Sequence, residues 1–192
     1  MRLCVIGAGA IGSLFAAHLS KVADVFVLTR REEHARRLNE QGLRVSGEHD
    51  FTARVTATSD ARDLPDFDVG IIATKATGLE GAAESLTDRF AGATIMTVQN
   101  GLGAEEVVHR HGEWPLISAV TFMSGTKHSD THVEYILDTE TWLGPYADTP
   151  YELVEETAAL IVESGLSARP SRPRARRRGQ ERRRGGRRRA PR

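Results

Sequence analysis

The sequence predicts a doubly wound α/β fold of the Rossmann type, and three observations carry that prediction. Short apolar runs alternate with helical patterns from Leu3 to Ser164, as in a mostly parallel sheet covered by helices. The first run, Leu3–Ile6, ends directly in Gly7-Ala8-Gly9-Ala10-Ile11-Gly12, and an amphipathic helix pattern starts inside it. Polar and cationic residues follow the apolar strands at Thr29-Arg30-Arg31, Thr74-Lys75 and Gln99-Asn100-Gly101. Those are carboxyl ends of strands, the edge at which ligands bind in open α/β sheets.

The elements follow in order. Leu3–Ile6 reads as a buried strand, and Ile11, Leu14, Phe15 and Leu19 mark one helix face. His18 shares that helix and is read as a helix residue without chemistry. Val25–Leu28 is a second apolar strand, and Glu32–Gln41 a polar helix closed by Gly42. Leu43–Ser46 and Phe51–Thr56 read as a hairpin around Gly47-Glu48-His49-Asp50. Val69–Ala73 is almost wholly apolar, as a strand buried on both faces should be. Thr77–Phe90 reads as helix, Thr94–Val98 as strand and Ala104–His111 as helix. Leu116–Phe122, Val133–Leu137 and Thr141–Leu143 read as strands, and Ser124-Gly125 as loop. Tyr151–Ser164 is a last helix with Gly165 as its stop signal.

The glycine spacing has a physical reading. Gly7 permits the tight strand-to-helix turn, Gly9 lets backbone approach a pyrophosphate, and Gly12 lets the helix pack closely on the strand. Ala8, Ala10 and Ile11 complete the loop and open the helix, whose free N–H groups and dipole favour phosphate. In NAD-binding versions of this motif an acidic residue at the end of the second strand accepts from the ribose 2′-hydroxyl. Here Thr29 stands near that place and Arg30 follows it. A guanidinium there suits a 2′-phosphate through paired, charge-assisted hydrogen bonds, which favours NADP(H). The competing reading of Arg30 is a solvated helix-start charge paired with Glu33.

Composition divides the chain. Residues 1–168 carry 13 Lys and Arg against 25 Asp and Glu, a balance of −12. Residues 169–192 carry 13 Arg against Glu181, a balance of +12. The acidic body argues against nucleic acid as its natural partner. Cys4 is the single cysteine, so no disulfide forms within the chain, which suits a cytoplasmic protein. No signal peptide is readable, and no apolar run approaches the ~20 residues of a membrane span. His128, Asp130 and His132 suggest a metal only if their stretch is helical, and the flanking pattern argues for loop and strand, so no metal is expected.

On four pieces in order, residues 1–168 resemble the N-terminal domain of the ketopantoate reductases (2-dehydropantoate 2-reductases). These are Gly7-Ala-Gly-Ala-Ile-Gly12, Arg30 after the second strand, Ile71-Ile-Ala-Thr-Lys75, and Val98-Gln-Asn100-Gly-Leu-Gly103. The resemblance implies NADPH-dependent reduction of a 2-keto acid to a 2-hydroxy acid in pantothenate biosynthesis. It implies that Lys75 and Asn100 lie near the nicotinamide end and help hold cofactor and substrate. A lysine ending a buried strand is also costly unless it meets an anion, and the bland reading is a lysine snorkelling to solvent. The segment Thr121–His132 is less glycine-rich than the family pattern.

The resemblance also implies an all-helical second domain that supplies a catalytic lysine as proton donor and a substrate-binding carboxylate. After Ala168 no apolar periodicity remains, so that domain is expected to be missing and the chain inactive in reduction. The Arg-rich residues 169–192 are expected to be disordered and are read as an out-of-frame translation. Arg codons read one base later encode small residues such as Ala, Val and Gly. Charge alone would give such a tail only nonspecific contact with nucleic acid. Two other functions compete: a nucleotide-binding regulatory protein with a nucleic-acid-binding Arg tail, and a different NAD(P)-dependent dehydrogenase.

Overall fold

A computed structural model describes residues 1–99 and 101–172. Asn100 and residues 173–192, most of the Arg-rich segment, lie outside the described residues. Strand β1 (Arg2–Ile6) leads through the glycine loop into helix α1 (Ala10–Leu19). β2 (Asp24–Leu28), α2 (Glu32–Gln41), β3 (Leu43–Gly47), β4 (Phe51–Ala53) and β5 (Thr56–Thr58) follow. β6 (Val69–Ile72), α3 (Leu79–Glu84), β7 (Thr94–Thr97) and α4 (Ala104–His109) continue the alternation. The chain then forms β8 (Leu116–Thr121), β9 (Ser124–Ser129), β10 (His132–Leu137), β11 (Thr141–Pro145), α5 (Tyr151–Glu163) and β12 (Ala168–Pro170).

The main sheet has eight strands in the order β12-β11-β8-β7-β6-β1-β2-β5. From β5 to β8 every pairing is parallel, and β11 closes on β8 antiparallel. Strands β5-β2-β1-β6-β7-β8 thus run in the doubly wound order, which reverses between β1 and β6. Side chains of β1 alternate between two cores, Leu3 and Val5 on one face, Cys4 and Ile6 on the other, all buried. That is why the strand reads as continuous apolar sequence. Leu14 and Phe15 of α1 and Val154 and Ile161 of α5 fill the first core; Leu79 of α3 and Val108 of α4 help fill the second. Burial pushes the Cys4 thiol up to about 12, so it stays protonated.

Three local expectations give way to tertiary structure. The Phe51–Thr56 run splits: β4 pairs antiparallel with β3, whereas β5 crosses to the main sheet and pairs with β2. Asn39 of α2 holds β5 there, with Nδ2 donating to the Ala57 carbonyl and Oδ1 accepting from the Ala57 amide, at 2.8 and 2.7 Å. The predicted Thr77–Phe90 helix is shorter, one 3₁₀ turn at Ala76–Gly78 and then α3. Beyond α3 the chain tightens into i→i−3 bonds, so that Leu86 is buried and Phe90 stacks on Phe67 at 4.4 Å. The predicted loop at Ser124-Gly125 is the start of β9, which pairs with β10 in a second sheet of order β4-β3-β10-β9. This sheet packs over α1, where Leu14 lies against Gly125. The main sheet also crosses the compositional break at Ala168, since β12 runs to Pro170 in register with Thr141–Leu143.

Candidate functional site

The strand-order reversal leaves a crevice at the carboxyl ends of β1, β2 and β6, and the glycine loop sits in it. The Gly7 amide donates to the Leu28 carbonyl of β2, and the Ala73 amide to the Ile6 carbonyl of β1, each at 2.9 Å. Gly7 has φ +102°, and a Cβ on it would come within 2.8 Å of Thr74. A Cβ on Gly12 would fall onto the Gly7 carbonyl oxygen, so the helix start can sit this close only with glycine there. A Cβ on Gly9 would meet nothing within 4 Å, so the loop is open on that side. Gly9 is the N-cap of α1, whose first-turn amides have no intrahelical acceptor.

A cleft of about 310 Å³ opens beside this loop. Gly7, Ala8, Gly9, Arg30 and Lys75 line it together, joined by Thr29, Arg31, His34, Thr74 and Lys127. The structure therefore brings the predicted glycine loop, Arg30 and Lys75 to one place. Ala10, Ile11 and Gly12 form the start of α1 behind it. Asn100 lies outside the described residues. Its neighbour Gln99 donates from Nε2 to the Ile72 and Thr74 carbonyls at 3.1 and 3.2 Å. Gln99 Oε1 and Thr74 Oγ1 are buried with no hydrogen-bond partner among the described residues. Of the two, Thr74 lines the cleft, and a buried polar atom without a partner at a cleft wall is the kind of group a ligand satisfies.

The two candidate cations stand in different surroundings from those the sequence suggests. Glu33 does not pair with Arg30. It is held by Arg36 and Arg37 through bonds of 2.7–2.9 Å. Arg30 is exposed at the rim and makes no ion pair among the described residues. Lys75 is exposed as well, beyond the end of β6 at the start of the 3₁₀ turn. The desolvation argument for Lys75 therefore fails, because the side chain never leaves water; its place on the cleft wall stands.

Behind the rim lies a charged cluster that sequence reasoning missed. Arg31 donates to Asp130 at 2.5 Å, and Asp130 also faces His34 Nδ1 at 3.9 Å and Lys127 Nζ at 4.0 Å. Burial works against the Asp130 carboxylate, yet His34, Arg31 and Lys127 hold its pKa below the usual range. Burial lowers the pKa of His34, helped by Lys127 and opposed by Asp130. Lys127 and Asp130 come from β9 and the turn after it, and no apolar alternation in Ser124–Ser129 marks that segment as a strand. His128 and His132 bond to Glu134 and Ser46, each at 2.8 Å. No group of three or more His, Cys, Asp or Glu among the described residues is arranged to hold a metal. No helix among them is long and apolar enough to cross a membrane.

Known proteins share this fold. The sequence profile described as ketopantoate reductase PanE/ApbA matches residues 3–148. The 2-dehydropantoate 2-reductase of Pyrococcus abyssi is 28% identical over 172 residues, covering 89% of this chain and 56% of that protein. A crystal structure of the 2-dehydropantoate 2-reductase from Geobacter metallireducens superposes with a TM-score of 0.80 at 26% identity, over 89% of this chain and 58% of that one. D-mandelate dehydrogenase, solved in a ternary complex with NADH and anilino(oxo)acetate, shares the fold with a TM-score of 0.79 at 23% identity, over 89% and 57%. The chain spans about half the length of the curated relatives it matches. A profile match across most of the described residues, on a doubly wound sheet with its glycine loop at the strand-order reversal, places the chain in the ketopantoate reductase PanE/ApbA family of oxidoreductases.

Proposed function

We propose that this chain is the NADPH-binding part of a reductase that converts a 2-keto acid of the 2-dehydropantoate type to its 2-hydroxy acid. The observation that carries the reading is the cleft itself, in which the glycine loop faces Arg30, a guanidinium without a carboxylate partner among the described residues. The amides at the start of α1 receive the pyrophosphate, Arg30 pairs with the 2′-phosphate, and Lys75 serves the nicotinamide end, the role the resemblance gives to Lys75 and Asn100. The buried Gln99 and Thr74 oxygens fit a polar group entering between β6 and β7. NADPH supplies the hydride when bound, and the protein's share is to bind and orient it. The resemblance assigns the proton donor of these reductases, a lysine, to a second domain. Binding without efficient turnover is therefore the expected behaviour of these 192 residues.

The test is a fluorescence titration of the chain with NADPH and with NADH. NADPH should bind more tightly, and Arg30→Ala should weaken NADPH by about 1.5–3 kcal/mol while leaving NADH nearly unchanged. Equal affinity of the unaltered chain for both cofactors would remove the assignment of NADP(H). Reduction of 2-dehydropantoate should fall far below the ~1–10³ s⁻¹ of ordinary enzymes. Turnover within that range would show that these residues suffice for the chemistry.

A further inference from the structure

We propose that Lys127, delivered by the second sheet, is a phosphate-binding residue of the cofactor cleft. The inference rests on the cofactor reading above and adds to it a residue from a part of the chain outside the glycine-loop unit. β9 lies over α1, and from it Lys127 reaches the glycine loop, its ammonium donating to the Ala8 carbonyl at 2.6 Å. Ala8 stands between Gly7 and Gly9, so this cation sits at the glycine turn that lines the cleft. The side chain itself lines the cleft with Arg30 and Arg31.

The hydrogen bonding of Lys127 is incomplete. An ammonium has three N–H donors. One goes to Ala8. His34 Nε2 is 3.1 Å away but also 2.9 Å from the Asp130 carbonyl oxygen. If Nε2 carries the proton it donates to Asp130 and offers Lys127 nothing; if it does not, it accepts from Lys127. The Asp130 carboxylate stands 4.0 Å from Nζ, beyond hydrogen-bond range. With either tautomer at least one ammonium proton has no acceptor among the described residues. Half-buried, and with Arg31 adding to the local positive charge, this cation shares Asp130 at 4.0 Å with Arg31, to which that carboxylate gives its direct hydrogen bond. A phosphate of the dinucleotide completes it. The pyrophosphate at the loop and the 2′-phosphate at the end of β2 offer the same oxygen chemistry, and the two cofactors distinguish them.

The experiment titrates the 192-residue chain and its Lys127→Met and Lys127→Arg variants with NADPH and NADH at low and high salt. Lys127→Met should weaken binding about tenfold or more and flatten its salt dependence, and Lys127→Arg should restore much of both. A loss for both cofactors assigns Lys127 to the pyrophosphate; a loss confined to NADPH assigns it to the 2′-phosphate. Binding by Lys127→Met equal to the unaltered chain, at every salt concentration, would overturn the proposal. Failure of the unaltered chain to bind either cofactor would instead overturn the cofactor reading. A second measurement needs no variant: NADPH should protect Lys127 of the unaltered chain from acetylation, read by mass spectrometry. Equal labelling with and without bound NADPH would also count against it.

Discussion

Gly12 and His18 sit less than two turns apart on α1, and each shows what one residue commits the protein to. The first turn of α1 approaches the loop so closely that Gly12→Ala would drive its Cβ into the Gly7 carbonyl. That overpacking is expected to cost at least about 1–3 kcal/mol in denaturant unfolding and to weaken NADPH binding with it. His18 was read from sequence as a helix residue without chemistry, and its structural part is now plain. It is fully buried, its Nδ1 donates to the Leu14 carbonyl at 2.8 Å, and its Nε2 meets His49 Nδ1 at 2.8 Å. Burial, with Lys21 and His49 adding to it, lowers its pKa from 6.5 to about 4. Between those values the unfolded chain binds the proton and the folded one does not, so stability rises with pH there. Acidification from pH 7 to pH 5 should therefore cost roughly 2 kcal/mol through this group. Unfolding measured at both pH values, with and without His18→Gln, checks it, and the variant should show the smaller loss.

At the scale of elements, strands with strong apolar runs were legible and strands held by distant partners were not. β1, β2, β6 and β7 are buried on both faces, and their sequences show it. β5 reads only Thr-Ala-Thr and is placed by the paired hydrogen bonds of Asn39 to Ala57. Asn39→Ala should expose that strand edge, speed hydrogen exchange at the amides of β5, and cost about 1–3 kcal/mol. Unchanged exchange at Ala57 would mean that pairing with β2 is enough. α1 is clamped between the two sheets, and Leu14 is fully buried there. Leu14→Ala should cost about 2–5 kcal/mol by the usual cavity argument, measured by denaturant unfolding.

At the scale of the whole molecule, the change in composition at Ala168 and the edge of the folded unit do not coincide. β12 carries Arg169 and Pro170 alongside β11, and the Ser171 amide donates to the Leu143 carbonyl at 2.6 Å. Arg169 also pairs with Glu140 at 2.9 Å and lies over the Trp142 ring. Residues 169–171 are thus bound to the sheet, and Arg172 lies over Tyr151 of α5, although their composition matches the Arg-rich segment. Ending the chain after Ala168 should cost on the order of 1–2 kcal/mol relative to ending it after Arg172. Thermal unfolding of the two shortened chains gives the comparison, and equal melting temperatures would show that β12 adds nothing.

From sequence alone came the doubly wound class, the glycine loop between strand and helix, and the cationic residues after the apolar strands. All three follow from local chemistry: strands buried on both faces must be apolar, and a tight turn against a helix start requires glycine. Arg30 and Lys75 were legible for the same reason, since a charge directly after an apolar strand must lie at a strand end. The tertiary structure decided which charges are already paired and which face the cleft. It showed Glu33 taken by Arg36 and Arg37, Lys75 in water, Lys127 brought to the glycine loop and Asp130 to Arg31, each from about a hundred residues away in sequence. No local pattern encodes such encounters. They exist only once β9 has packed over α1, and the free energy of a charge depends on the partners that packing supplies.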